Sequence, residues 1–126
     1  MKILIVDDEQ DVEIMFLQKF RKEIKSKRLE VSFAFSGEQA LAMLGNSGSP
    51  DVVYVFSDIN MPGMSGLELL SAIKSRFPHI LVSMISAYGD RDNYNRAISS
   101  GAKGFFTKPV DFDSLKIEIA ELLTNQ

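Results

Sequence analysis

The sequence predicts an α/β domain built on a parallel sheet, and two observations carry that reading. Five short apolar runs, residues 3–6, 31–35, 52–56, 80–85 and 104–106, are each followed by a helical pattern. Strands that alternate with helices give parallel sheets. Several of the runs are apolar at consecutive positions, as expected of strands covered on both faces.

Each helix carries its own signals. In the first, Val12, Phe16, Phe20 and Ile24 recur every four residues, and Met15 and Leu17 are read as widening that stripe. Ser36-Gly37-Glu38-Gln39 reads as a capping box opening the second helix, and Ser65-Gly66-Leu67-Glu68 as another opening the third. The third helix should face inward with Leu67, Leu70, Ile73 and Phe77. Asp90 is placed at the start of the fourth, and Gly101 at its stop. Asp111 should cap the fifth, with Leu115, Ile119 and Leu122 facing in. Residues 45–50 are a loop by composition, too short to link two domains, so residues 1–126 are read as one domain.

Composition narrows the function. The chain has 45% apolar residues, enough for one core, and no cysteine, so neither disulfides nor thiolate metal sites are available. That fits a reducing cytoplasm. No apolar run approaches the roughly 20 residues that span a bilayer, and only four apolar residues separate Lys2 from two acids, which excludes a signal peptide. A formal net charge of −3 argues against direct nucleic-acid binding. The basic cluster of Arg21, Lys22, Lys25, Lys27 and Arg28 reads as a solvated helix end, and His79, without partner ligands, as an ordinary surface residue.

The chemistry lies where the apolar runs end. Asp7 and Asp8 follow the first run, Asp58 the third, Ser86 the fourth and Lys108 the fifth. Ligands of open α/β sheets bind beyond the carboxyl ends of the strands. Carboxylates gathered there repel one another unless a cation sits among them, and Mg²⁺ suits an all-oxygen set. A carboxylate beside such an ion can act as nucleophile toward an activated phosphoryl donor, with Lys108 and the Ser86 hydroxyl on the incoming oxygens. Taken singly, Asp7-Asp8 reads as a turn or helix cap, Asp58 as the start of a turn and Lys108 as a solvated cation. Their joint placement at one sheet edge is what points to phosphate chemistry.

These residues resemble a known family, the receiver domain of two-component response regulators, over essentially the whole chain. The matching pieces are Ile3-Leu4-Ile5-Val6-Asp7-Asp8-Glu9, Asp58-Ile59-Asn60-Met61-Pro62-Gly63-Met64-Ser65-Gly66, Ser86-Ala87, Gly101-Ala102 and Lys108-Pro109. The resemblance implies a doubly wound, flavodoxin-like (βα)5 fold with strand order 2-1-3-4-5 and helices on both faces. It implies that Asp58 is the phosphoacceptor, charged from a sensor histidine kinase or phosphotransfer protein, and that the chain is not a turnover enzyme on an external substrate. Mg²⁺ would be held by the carboxylates of Asp8 and Asp58 and the backbone carbonyl of Asn60, with Asp7 acting through water. Ser86 and Phe105 would occupy the switch positions, Lys108 would contact the phosphoryl group, and the Lys108–Pro109 peptide would be cis. Asn60 and Tyr88 would tune loss of the phosphoryl group. The surface of the fourth helix, fifth strand and fifth helix would change on phosphorylation, meeting a downstream effector, an output domain absent from this sequence, or a second copy.

Three departures are visible. Ser86 stands where threonine is common, Phe105 where tyrosine is frequent, and residues 51–57 are slightly long before the phosphoacceptor. Two other classes fit less well. A phosphohydrolase with an aspartyl-phosphate intermediate generally carries Asp-x-Asp, and here the second position is Asn60. A flavin carrier on the same architecture needs a phosphate-cradling loop where Asp7-Asp8-Glu9 stands. A receiver that has lost phosphorylation also ranks low, since all the acids are present.

Overall fold

The computed structural model describes residues 1–45, 52–87, 91–108 and 111–124. Five strands, β1 (Lys2–Val6), β2 (Glu30–Ala34), β3 (Val52–Asp58), β4 (Leu81–Ser86) and β5 (Gly104–Thr107), form one all-parallel sheet in the order β2-β1-β3-β4-β5. The helices are α1 (Gln10–Lys19), α2 (Arg21–Lys25), α3 (Gly37–Gly45), α4 (Gly66–Arg76), α5 (Arg91–Ser99) and α6 (Phe112–Thr124). The doubly wound order is the one the resemblance implies.

Strand side chains alternate between two cores. Leu4, Val6, Val55, Val82 and Met84 face one side, under Ala40 and Leu44 of α3, Leu69, Leu70 and Ile73 of α4, and Ala97 of α5. Ile3, Ile5, Tyr54, Phe56 and Ile85 face the other, under Phe16 of α1 and Leu115 and Ile119 of α6. Burial on both faces explains the continuous apolar runs.

The helix ends follow their sequence signals. Ser65 and Glu68 form the reciprocal capping box of α4. At α3 the box is displaced by one residue: Gln39 N–H donates to Ser36 Oγ, but Gln39 Oε1 accepts from the N–H of Phe35. Gly101, at φ +100°, closes α5 with bonds from Gly101 N to Ile98 O and Ala102 N to Ala97 O. Asp111 Oδ1 accepts from the N–H groups of Asp113 and Ser114, capping α6. Asp90 lies outside the described residues.

Two expectations need correction. The first helix is two, parted at Phe20, whose backbone (φ −106°, ψ 21°) leaves the helical range, so the described residues form six helices and not five. Met15 and Leu17 do not widen its stripe; they are 42% and 41% exposed. At about 100° per residue, Met15 lies roughly 120° and Leu17 roughly 80° from the centre of the line through Val12, Phe16, Phe20 and Ile24. In α4 the expected inward face holds: Leu70 and Ile73 are buried, Leu67 and Phe77 are half-buried against the same core, and Leu69 joins them.

The length of the third run has a structural cause. Lys2 pairs with Val52 but Ile3 with Tyr54, so Val53 is an extra, bulged residue. Beyond it the register is regular, and β3 runs two residues further than its apolar segment, through Ser57 to Asp58.

Candidate functional site

Four chain segments end at the same sheet edge. Asp7 and Asp8 follow β1, Asp58 is the last residue of β3, Ser86 the last of β4, and Lys108 follows β5. Asp58 and Ser86 therefore lie within their strands and not beyond them. Sheet pairing fixes their backbones: Asp58 pairs with Ile85, and Ser86 with Thr107. Lys108 N–H donates to the Ser86 carbonyl at 2.7 Å, holding the start of the β5–α6 connection beside β4.

The side chains converge. Lys108 Nζ lies 3.1 Å from Asp7 Oδ2 and 3.4 Å from Asp58 Oδ2. Asp7 Oδ1 accepts the Glu9 N–H at 2.9 Å, which orients the carboxylate and opens the turn into α1. Asp7 and Asp58 are each only 4% exposed, whereas Asp8 is open to solvent. One carboxylate oxygen from each of the three aspartates lies within 4.8 Å of the others, a spacing that one metal ion could bridge.

The electrostatics agree with that geometry. Burial, and then the neighbouring Asp7 charge, push the Asp58 carboxyl above the ordinary carboxylate range, against the opposing pull of Lys108 and the Asn60 N–H. Burial pulls the Lys108 ammonium down, but the Asp7 hydrogen bond and the charges of Asp58, Asp7 and Glu9 outweigh it, and the net direction is up. Three carboxylates against one ammonium leave a formal −2, which one divalent cation would cancel. The donors are all oxygen, and two of them are buried, so the residues present fit a hard ion such as magnesium.

Packing beneath the site is equally specific. Ile59 and Met61 of the β3–α4 loop are buried in the core under α3 to α5, and Asn60 between them is exposed. Ile59 N donates to Ile85 O, and Gly66 N to Ile59 O at 2.8 Å. A Cβ on Gly66 would stand 2.0 Å from the Asp58 carbonyl oxygen, so the first turn of α4 rests on the backbone of Asp58. Ser65-Gly66, a helix start and the end of the second matching piece by sequence, carries no sign of this contact.

Ser86 is fully buried. Phe105 is half-buried over the core under α3 to α5, edge-on to Tyr94 of α5 at 5.6 Å and 70°. His79 and the basic cluster of residues 21–28 are exposed. Tyr88 and Pro109 lie outside the described residues.

Comparison with known proteins agrees with the fold. Residues 3–120 match the response regulator receiver domain family. The chain is 36% identical to the chemotaxis protein CheY of Pseudomonas aeruginosa, covering 97% of this chain and 95% of that one. It is 31% identical to a cyclic di-GMP phosphodiesterase of Thermotoga maritima, matching all of this chain but only 32% of that protein. Among solved structures, a response regulator receiver domain protein from Clostridium thermocellum superposes with a TM-score of 0.79 at 31% identity, over 98% of this chain and 94% of that one. The chain belongs to the response regulator receiver domain family of two-component systems, in which aspartate phosphorylation and Mg²⁺ binding are general features. Among the described residues no helix is long and apolar enough to cross a membrane.

Proposed function

We propose that this chain is a cytoplasmic phosphoacceptor that takes a phosphoryl group onto Asp58 from the phosphohistidine of a sensor histidine kinase or phosphotransfer protein. The observation that carries the reading is the meeting of Asp7, Asp8 and Asp58 around one point, with Lys108 reaching two of them. An Asp58 carboxylate oxygen forms the new P–O bond as the P–N bond to histidine breaks, and the leaving imidazole nitrogen keeps the electron pair. Asp8, Asp58 and the Asn60 carbonyl would hold the ion, and Asp7 would contribute through water. A bound Mg²⁺ supplies charge neutralisation at the transferring group. Lys108 turns from the carboxylates to the phosphoryl oxygens.

Phosphorylated Asp58 carries about −1.5 to −2 charge, by analogy with other phosphorylated side chains, where the free carboxylate carries −1. The Ser86 hydroxyl moves to donate to a phosphoryl oxygen, Phe105 turns into the space it leaves, and the surface of α5, β5 and α6 changes. That surface exposes Tyr94, Ile98 and Ile117, apolar groups suited to an effector, an output domain or a second copy. The match to only part of a longer Thermotoga protein supports an output domain as one arrangement. Asn60 and Tyr88 set the rate at which water removes the phosphoryl group. The chain turns over its own phosphoryl group and no external substrate.

Incubation with a small phosphoryl donor and Mg²⁺, followed by intact-mass measurement, tests the assignment. The wild type should gain one phosphoryl mass and Asp58→Asn none; an unmodified wild type, or equal modification of the variant, rejects it. Ser86→Ala should still be phosphorylated but lose the change at the α5–β5–α6 surface, read by hydrogen exchange. A full change in that variant removes Ser86 from the switch.

A further inference from the structure

A second polar cluster lies in the other core, away from the acidic edge. Tyr54 of β3 is fully buried and stacked on Phe56 at 4.3 Å. Its hydroxyl donates to Glu118 Oε1 of α6 at 2.5 Å and also meets the buried Ser83 Oγ of β4. A phenol carries one proton and a carboxylate only accepts, so Ser83 is the donor to the tyrosine oxygen. Lys103, just before β5, completes the set, with Nζ 3.1 Å from the same Glu118 oxygen. Gly104 makes room for it: a Cβ there would lie 3.0 Å from Ser83 Oγ and 3.7 Å from Glu118 Oε2. Burial and the Glu118 bond hold the Tyr54 proton far above its ordinary range, so the donor persists at every physiological pH.

Three features separate this cluster from ordinary packing. It joins β3, β4 and the entry to β5 to a single residue of α6. Its central groups are buried where a lost partner is costly. It also sits upstream of Asp58, Ser86 and Phe105 on the strands that carry them.

We propose that Tyr54, Ser83, Lys103 and Glu118 form a latch that holds α6 in one seat on the sheet, so that the freedom of α6 to move is set by whether this hydrogen-bonded set is closed. Tyr54 and Glu118 are positioning residues: they touch no part of the acidic site, and they govern the helix bordering the α5–β5–α6 surface. The latch itself is independent of phosphorylation; its consequence for output rests on the function proposed above. A sensor whose reading depends on α6 would be retuned from this core without any change at Asp58.

Hydrogen exchange on the unphosphorylated full chain tests the latch alone. Tyr54→Phe should raise amide exchange in α6 by about tenfold or more, the effect of losing a buried hydrogen bond to a charged group, and leave α4 within about twofold. Glu118→Ala should do the same, whereas Glu118→Gln, which keeps an acceptor for the tyrosine, should hold α6 within about threefold of wild type. Unchanged α6 exchange in Tyr54→Phe and Glu118→Ala overturns the latch. An equal rise in every helix also overturns it, since that marks general loss of packing. Phosphorylation of the same variants at Asp58 should proceed at the wild-type rate; failure of the wild type in that assay would reject the phosphoacceptor reading and leave the exchange result standing.

Discussion

Lys108 sets the charge balance of the sheet edge. It bridges Asp7 and Asp58, yet it cancels only one of the two buried negative charges, and Asp58 keeps a raised pKa. A carboxyl that binds its proton more tightly when folded destabilises the fold once ionised. With metal chelated, stability should therefore fall as pH rises from the unfolded carboxyl pKa of about 4 through the raised folded value. Lys108 has the opposite placement. Its raised pKa contributes stability that is present below about pH 10 and is lost as the ammonium deprotonates above it. Asp58→Asn should remove the acid-range decline and raise the neutral-pH melting temperature above that of the wild type. Thermal melts in chelator from pH 4 to 8 check this; a variant that melts lower than wild type across the range contradicts it. Lys108→Met should cost about 1–2 kcal/mol in the same buffer, because two buried carboxylates then face each other unpaired.

At the scale of elements, two backbone positions make testable demands. Gly66 leaves no room for a methyl group against the Asp58 carbonyl, and backbone atoms cannot swing aside as a side-chain tip would. Gly66→Ala should cost roughly 3 kcal/mol in urea denaturation by pushing α4 off β3. A loss under about 1 kcal/mol would mean the contact is softer than its geometry. Lys27 closes α2 at φ +62°, with Lys27 N bonded to Ile24 O and Arg28 N to Glu23 O, where glycine is the usual occupant. Lys27→Gly should accordingly stabilise by about 1 kcal/mol. The strands were legible because two-sided burial writes apolar runs into the chain. The bulge at Val53 was visible only as one residue too many before Asp58, since a register shift has no side-chain signature of its own. The break at Phe20 was hidden because the four-residue spacing of apolar groups passes straight through it.

For the molecule as a whole, the sheet brings together what the chain separates: Asp7 and Lys108 are 101 positions apart in sequence, and their charged groups meet at 3.1 Å. Strand-end acids made that cluster readable before any coordinates, because every strand of a parallel sheet delivers its C-terminus to the same edge. The Tyr54–Glu118 cluster was not readable, since a tyrosine in a strand and a glutamate on a helix carry no sign of being partners until topology packs α6 over β3. Both clusters depend on one property, the rigid parallel order that places three strands side by side. The acidic one should respond to a divalent ion, and a magnesium titration followed by thermal melting is the most direct test. The wild type should gain stability with the logarithm of magnesium concentration above the dissociation constant, by about 2.7 kcal/mol at a hundredfold excess, while Asp8→Asn and Asp58→Asn respond much less. A wild-type melting temperature that millimolar magnesium does not move, or an equal rise in all three proteins, would contradict the reading of this edge as a metal-dependent phosphoacceptor site.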